Sequence, residues 1–148
     1  MTREDAILVV GADGLIGRSL ARRLGAEGRN VVSTVLCPEP GAETLDLSQD
    51  VSGWVPPCPI AVAYLCAAAT SVAYCRSHVD EMRAINVTAT LALARTLRKQ
   101  GALVIFPSSN LVFDGSVPFQ RPDAATCPRT EYGRQKAEVE RHLLASAG

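Results

Sequence analysis

One glycine-rich turn constrains the fold of this chain more than any other stretch. The apolar run Ala6–Val10 leads into Gly11–Gly17, where glycine recurs at every third position, and a helical pattern follows over 18–27. A strand, a tight turn and a helix start present backbone N–H groups and the positive end of a helix to an anion such as a pyrophosphate. The GxxGxxG spacing in this context predicts a dinucleotide-binding turn, and a βα turn that binds nothing is the alternative.

Each glycine of this turn has its own expected role. Gly11 lets the chain turn sharply, and Gly14 lets the backbone approach the phosphates. Gly17 lets the helix pack close to the preceding strand. We therefore expect the three positions to respond differently to an added side chain.

Charge and cysteine content exclude several classes of protein. The 148 residues carry 15 basic and 15 acidic side chains, so nothing favours nucleic acid or an anionic membrane as the main partner. No apolar run could span a bilayer, and the N-terminus lacks the apolar core of a signal peptide. The five cysteines form no CxxC pair and have no His at metal-ligand spacing, which predicts reduced thiols in the cytoplasm and no metal site.

The alternation of strand and helix patterns predicts the fold class. Apolar strand patterns occupy 6–10, 30–36, 43–47, 60–65 and 102–106, and helical patterns occupy 18–27, 76–99 and 129–147. Such alternation is typical of an α/β fold, here a Rossmann-type doubly wound parallel sheet of about five strands with helices on both faces. One domain over 1–148 is expected. The apolar positions expected to face the core are Leu15, Ile16, Leu20 and Leu24 in the first helix and Ile85, Leu91, Ala92 and Leu97 in the long one.

The spacing of Tyr132 and Lys136 suggests acid–base chemistry. A helix would place these residues, four apart, on one face. The pKa of a tyrosine is about 10, and a nearby ammonium group lowers it. Such a tyrosine can donate a proton to a carbonyl during reduction, or remove one from an alcohol in reverse. The YxxxK spacing alone is common, so an incidental pair on an exposed helix is the alternative.

Two serines follow the fifth predicted strand, at the sheet edge where parallel α/β sheets bind ligands. The hydroxyl of Ser108 or Ser109 there can orient the reacting oxygen of a substrate toward Tyr132. A serine that only caps a strand-end turn is the alternative. No GxSxG elbow indicates a hydrolase.

The order of these motifs resembles the extended short-chain dehydrogenase/reductase family. Within it, Ser108–Gly115, followed by Pro118–Phe119 and by YGxxK at 132–136, resembles the dTDP-4-dehydrorhamnose reductase branch, whose run is S-T-D-Y-V-F-D-G. Cys66–Thr70 resembles that branch's N-A-A-A segment, and Asn86–Val87 resembles its helical Asn-Val pair. The resemblance covers nearly the whole chain.

The resemblance implies a role for each matching residue. Ser109 would orient the substrate, Tyr132 would be the general acid, and Lys136 would hold the cofactor ribose and tune the phenol. Asn86 would support its helix and a proton-relay water. The other residues implied to border the cofactor are Gly11, Asp13, Gly14, Leu15, Ile16 and Gly17 at the pyrophosphate, Asp46 and Leu47 at the adenine, and Ala67, Ala68 and Ala69 toward the nicotinamide.

The implied activity is reduction of the 4-keto group of a nucleotide-linked deoxysugar by NADPH or NADH. Near Leu36, where the second strand ends, the sequence has neither an acid for a ribose 2′-hydroxyl nor an arginine for a 2′-phosphate, so both coenzymes stay open. The resemblance also implies a homodimer, as in many relatives.

Three departures from the branch leave other functions open. Leu111 replaces its usual Tyr and Arg121 its usual Glu, and the C-terminal part that grips the nucleotide-sugar is absent from these 148 residues. A non-catalytic NAD(P)-binding regulatory or interaction protein is therefore one alternative. A nucleotide-sugar epimerase or dehydratase is another, which Val112–Gly115 disfavours.

Overall fold

The structure, a computed structural model, describes residues 6–146. Its strands are β1 (Ala6–Val10), β2 (Val31–Val35), β3 (Glu43–Thr44), β4 (Ile60–Leu65) and β5 (Leu103–Ile105). Its α-helices are α1 (Leu15–Ala26), α2 (Val72–Ser77), α3 (Val79–Arg83), α4 (Thr90–Lys99) and α5 (Glu131–Ala145). A π-helical turn, Ala84–Ala89, joins α3 to α4, and a short 3₁₀ turn covers Asn110–Val112.

The five strands form one parallel sheet in the order β3-β2-β1-β4-β5. At its centre, Leu8 of β1 lies opposite Val32 of β2 and Ala63 of β4. From β1 the chain adds β2 and β3 on one side and then β4 and β5 on the other side. This switch in strand order beside β1 leaves a crevice at the carboxyl ends of the strands. The predicted Rossmann-type sheet is confirmed.

Helices cover both faces of the sheet. Ala6, Leu8 and Val10 of β1 belong to the main buried cluster, which also takes residues from α4 and α5 but none from α1. Because strand side chains alternate between faces, Ile7 and Val9 point to the opposite face, where α1 packs on β1 and β2.

The predicted element bounds were wrong at several points. The third strand ends at Thr44 rather than residue 47, because the Asp46 carboxylate accepts a hydrogen bond from Ser48 N at 2.8 Å and turns the chain. The fifth strand keeps only Leu103–Ile105 of its predicted range. The helix expected over 76–99 begins at Val72, because the Ser71 hydroxyl accepts a hydrogen bond from Tyr74 N at 3.2 Å and caps it.

The predicted buried faces of two helices also need correction. The π-helical turn adds a residue to a helical turn and rotates the face that follows, so Leu93 and Ala94 are buried with Leu97, whereas the predicted Ile85, Leu91 and Ala92 are only half-buried. In α1, Leu15 and Ile16 are 91% and 62% exposed. These two side chains stand at the mouth of the cavity described next.

Candidate functional site

A cavity of about 610 Å³ opens where β1, β2 and β4 end. It is lined by most of the residues predicted to hold a cofactor: Gly11, Asp13, Gly14, Leu15, Ile16, Gly17, Asp46, Leu47, Ala67, Ala68 and Ala69. The lining residues that the sequence reasoning missed are Leu36, Leu45, Ser48, Cys66, Thr70 and Ile85. Leu36, Leu45 and Cys66 directly follow strands. Ser48 and Thr70 lie farther along the same loops, and Ile85 is the sequence neighbour of Asn86.

The glycine turn is packed as its spacing predicts. Gly11 has a φ of +82°, and a Cβ there would lie 2.7 Å from the Cα of Ala67. A Cβ on Gly17 would collide with the carbonyl group of Gly11, so α1 approaches β1 as only glycine allows. Gly14 has more room, since the nearest atom to an added Cβ would be 3.4 Å away.

The start of α1 presents uncapped N–H groups to the cavity. No side chain caps the helix, its first turn holds no acidic residue, and Gly14, Leu15, Ile16 and Gly17 all line the cavity. The first N–H groups of a helix lack partners within it and carry partial positive charge. An anionic pyrophosphate fits this end of the cavity.

The far wall of the cavity is apolar with a carboxylate at its rim. Leu45 and Leu47 are nearly buried, and Asp46 between them is partly exposed. Hydrogen bonds from Ser48 hold the pKa of the Asp46 carboxyl below its usual value, so the group is ionised at neutral pH. An apolar slot with one acceptor at its edge suits a flat heteroaromatic ring such as adenine.

Helix α5 brings Tyr132 and Lys136 against the segment after β5. Thr130 caps the helix by accepting a hydrogen bond from Gly133 N at 3.0 Å. Both side chains are buried, at 8% and 5% exposure. The Lys136 ammonium donates a hydrogen bond to the Pro107 carbonyl at 3.0 Å, and its Nζ lies 5.8 Å from the centre of the Tyr132 ring.

The expected effect of the lysine on the tyrosine needs correction. Burial raises the pKa of the Tyr132 phenol above its usual value, and the Cys75 side chain adds to this shift. Burial likewise lowers the pKa of Lys136 to about 8. Desolvation therefore sets the direction of the shift in the pKa of Tyr132, and the phenol is protonated at neutral pH, as a proton donor must be.

Ser109 lies between the two contacts that α5 makes with this segment. Pro107, two residues before it, binds Lys136, and Leu111, two residues after it, packs on Tyr132 and its neighbours. The Ser109 Oγ accepts a hydrogen bond from Leu111 N at 3.2 Å and caps the 3₁₀ turn. Its contact to Asn110 Oδ1 is long, at 3.5 Å, so the hydroxyl hydrogen is available to another acceptor.

Asn86 couples the cavity wall to α5. Its Oδ1 accepts a hydrogen bond from Ala69 N at 2.8 Å, and its Nδ2 donates to Ala69 O at 3.0 Å and to Gln135 Oε1 at 2.8 Å. Asn86 and Gln135 are 3% and 0% exposed. Gln135, which the sequence reasoning missed, thus holds α5 to the strand end that carries the three alanines; its signal was a polar residue between Tyr132 and Lys136.

The predicted residues therefore fall into two neighbouring groups. The glycine turn, Asp46, Leu47 and the three alanines line the cavity, whereas Ser109, Tyr132, Lys136 and Asn86 lie beside it. Ala69 joins the groups, because it lines the cavity, bonds to Asn86 and packs on the cluster around Tyr132.

The buried Lys136 should give stability a measurable pH dependence. Because its folded pKa is about 8 and its unfolded pKa about 10.4, the unfolded chain binds more protons between these values, and this lysine's contribution to the free energy of unfolding rises with pH. The unfolding free energy of the parent minus that of Lys136→Met should grow by about 2 kcal/mol from about pH 8 to about pH 10. Urea unfolding measures this difference.

Lys99 provides the matched control, because it is exposed on α4. Lys99→Met should leave the difference flat, and the ionisation of thiols and phenols that do not interact with the replaced lysine cancels in both comparisons. If the difference in unfolding free energy between the parent and Lys136→Met were also independent of pH, burial would not lower the pKa of Lys136.

Two features are absent from residues 6–146. No helix in this range is long and apolar enough to cross a membrane. Nor does this range contain a group of three or more His, Cys, Asp or Glu side chains that could hold a metal ion.

The chain is similar to two kinds of curated protein. It is 35% identical over 141 residues to a dTDP-4-dehydrorhamnose reductase of Streptomyces griseus, covering 93% of this chain and 44% of that protein. It is 30% identical over 140 residues to methionine adenosyltransferase 2 subunit beta of Xenopus laevis, covering 93% and 42%. The chain thus spans less than half the length of these relatives.

The structural comparison agrees with the sequence comparison. MoeE5, in a structure described as a complex with UDP-glucose and NAD, matches with a TM-score of 0.82 and 30% identity, covering 95% of this chain and 48% of that one. The family described as RmlD substrate binding domain matches residues 5–148. The resemblance to the dTDP-4-dehydrorhamnose reductase branch is thereby confirmed, and the chain belongs to the RmlD substrate binding domain family.

Proposed function

We propose that this chain is the coenzyme-binding and catalytic half of an NAD(P)H-dependent reductase that acts on a 4-keto nucleotide-linked deoxysugar. One observation carries the proposal: α5 packs Tyr132 and Lys136 onto the segment around Ser109, directly beside the cavity wall at Ala69. Named reductases among the relatives support the same reaction class.

The cavity residues would hold a dinucleotide along the carboxyl edge of the sheet. The uncapped start of α1 would receive the pyrophosphate, the slot at Leu45 and Leu47 the adenine, and Ala67–Ala69 the nicotinamide side. The nicotinamide supplies a hydride when it is bound. MoeE5, whose structure is described with NAD, supports this assignment.

The side chains beside the cavity would handle the proton. Tyr132, whose raised pKa keeps it protonated, would donate its phenolic proton to the sugar carbonyl oxygen as that oxygen gains charge. Ser109 would donate a hydrogen bond to the same oxygen and fix its direction. Lys136, held by the Pro107 carbonyl, would stabilise the phenolate left on Tyr132.

The test is turnover by the longest gene product that contains this chain. Purified protein is mixed with NADH or NADPH and dTDP-4-dehydrorhamnose or another 4-keto nucleotide-sugar, and loss of reduced nicotinamide is followed by absorbance. We expect turnover of at least one such substrate. Tight coenzyme binding without turnover of any of them would contradict the reductase assignment.

A second function is favoured by a different set of relatives. Methionine adenosyltransferase 2 subunit beta matches this chain at a similar identity, and its name is that of a subunit. A coenzyme-binding interaction protein without catalysis would show binding, no turnover, and association with a larger enzyme. Three other expectations from the sequence remain predictions: an epimerase or dehydratase activity, a homodimer and a cytoplasmic location.

A further inference from the structure

The end of β2 is the place where a sheet of this type recognises the ribose of an adenine dinucleotide. The strand runs through Thr34 and ends at Val35, Leu36 follows it, and none of these side chains is charged. β2 itself therefore offers no carboxylate for a 2′-hydroxyl and no base for a 2′-phosphate. A group that distinguishes a 2′-hydroxyl from a 2′-phosphate therefore has to come from another element.

Asp13, from the glycine turn, supplies a carboxylate at that place. Its Oδ2 accepts a hydrogen bond from Leu36 N at 3.0 Å, so the carboxylate sits against the last peptide group of β2. Both residues line the cavity, and both are exposed to it and to solvent. In sheets of this type an acidic residue usually follows the second strand. Here the carboxylate at that place comes instead from Asp13, which lies 23 residues before Leu36.

The charged residues near Asp13 and Leu36 in sequence also disfavour a 2′-phosphate. The stretch 35–48 contains Glu39, Glu43 and Asp46 and no Lys or Arg. The basic side chain bound to this turn is Arg18, whose Nη2 donates a hydrogen bond to the Asp13 carbonyl oxygen at 2.7 Å. This guanidinium group offsets one negative charge, whereas Asp13 and the stretch 35–48 together carry four, so a phosphate with about two negative charges would meet net repulsion.

We propose that Asp13 selects the coenzyme: it accepts a hydrogen bond from the adenosine 2′-hydroxyl and repels a 2′-phosphate, so the chain prefers NADH to NADPH. This inference rests on the proposed function, which places a dinucleotide in the cavity. The remaining oxygen of the carboxylate, Oδ1, is free to accept the ribose hydroxyl while Oδ2 keeps its bond to Leu36 N.

The test is equilibrium binding of NADH and NADPH to the gene product, read by nicotinamide fluorescence without any sugar substrate. We expect NADH to bind at least about tenfold more tightly than NADPH. Asp13→Asn keeps an acceptor for Leu36 N and removes the charge, so it should shrink this ratio by about tenfold or more, mainly through tighter binding of NADPH. Asp13→Ser removes the charge with a smaller side chain and should shift the ratio in the same direction.

Glu81→Gln is the matched control, because it removes one exposed negative charge on α3, outside both the stretch 35–48 and the cavity lining. It should change the ratio by less than about twofold. Arg18→Gln should weaken residual NADPH binding more than NADH binding. Binding of both coenzymes with a ratio unchanged by Asp13→Asn would overturn this inference alone, whereas binding of neither would overturn the proposed function and this inference together.

Discussion

Replacing Tyr132 with phenylalanine should lower kcat for sugar reduction by about 10²–10⁴-fold while coenzyme affinity changes by less than about threefold. The ring packs among Cys75, Met82 and Leu111, and phenylalanine keeps those contacts. Only the hydroxyl, the proposed proton donor, is lost. Steady-state turnover and coenzyme titration on the same preparation separate the two effects.

The matched control for this substitution is Tyr74→Phe. Tyr74 lies on α2, is 42% exposed and stacks on His78, outside both groups of site residues. Its variant should retain the parent kcat. If Tyr132→Phe also retained it, Tyr132 would not be the proton donor.

Replacing Gly17 with alanine should abolish coenzyme binding and destabilise the fold by about 1–3 kcal/mol or more. The added Cβ would collide with the backbone carbonyl of Gly11, which cannot rotate away as a flexible side chain could. Either α1 moves off β1 or the turn reshapes, and in both cases the uncapped helix start leaves the cavity. Urea unfolding and coenzyme fluorescence titration measure the two losses.

Gly25 provides the comparison within the same helix. No atom beyond the surrounding backbone of α1 lies within 4 Å of a Cβ added there, and its φ is not positive. Gly25→Ala should therefore be neutral or stabilising by up to about 1 kcal/mol, through helix propensity alone. Equal behaviour of the two variants would show that close packing of α1 on β1 is not what requires glycine at position 17.

The sequence predicted the sheet because buried parallel strands and glycine turns leave strong local signals. β1 and β4 are continuous apolar runs, and their ends carry small residues. The interruptions of the long helix left no such signal, since the π-helical turn at Ala84–Ala89 contains Asn86, whose side chain is bonded to Ala69 and Gln135. Those partners lie 17 and 49 residues away in sequence.

Candidate site residues could be predicted where they belong to a sequence motif. They could not be predicted where only their proximity in the folded chain identifies them. Gly11, Gly17, Tyr132 and Lys136 were found by spacing. The contact between Asp13 and Leu36 joins two elements whose distance apart depends on how β1 and β2 pair. The direction of the Tyr132 pKa shift likewise depends on burial, which spacing does not reveal.

The short edge strand β5 determines how this sheet can grow. At the other edge, β3 pairs over only two residues. Among residues 6–146, β5 pairs with β4 alone, so its outer peptide groups have no strand partner there, and its Leu103 is 62% exposed. A sixth strand added in parallel beside β5 would end at the same edge as the others. The loop leaving that strand would emerge next to Ser109, so lengthening the sheet on this side would place new side chains beside the proposed proton-donating group.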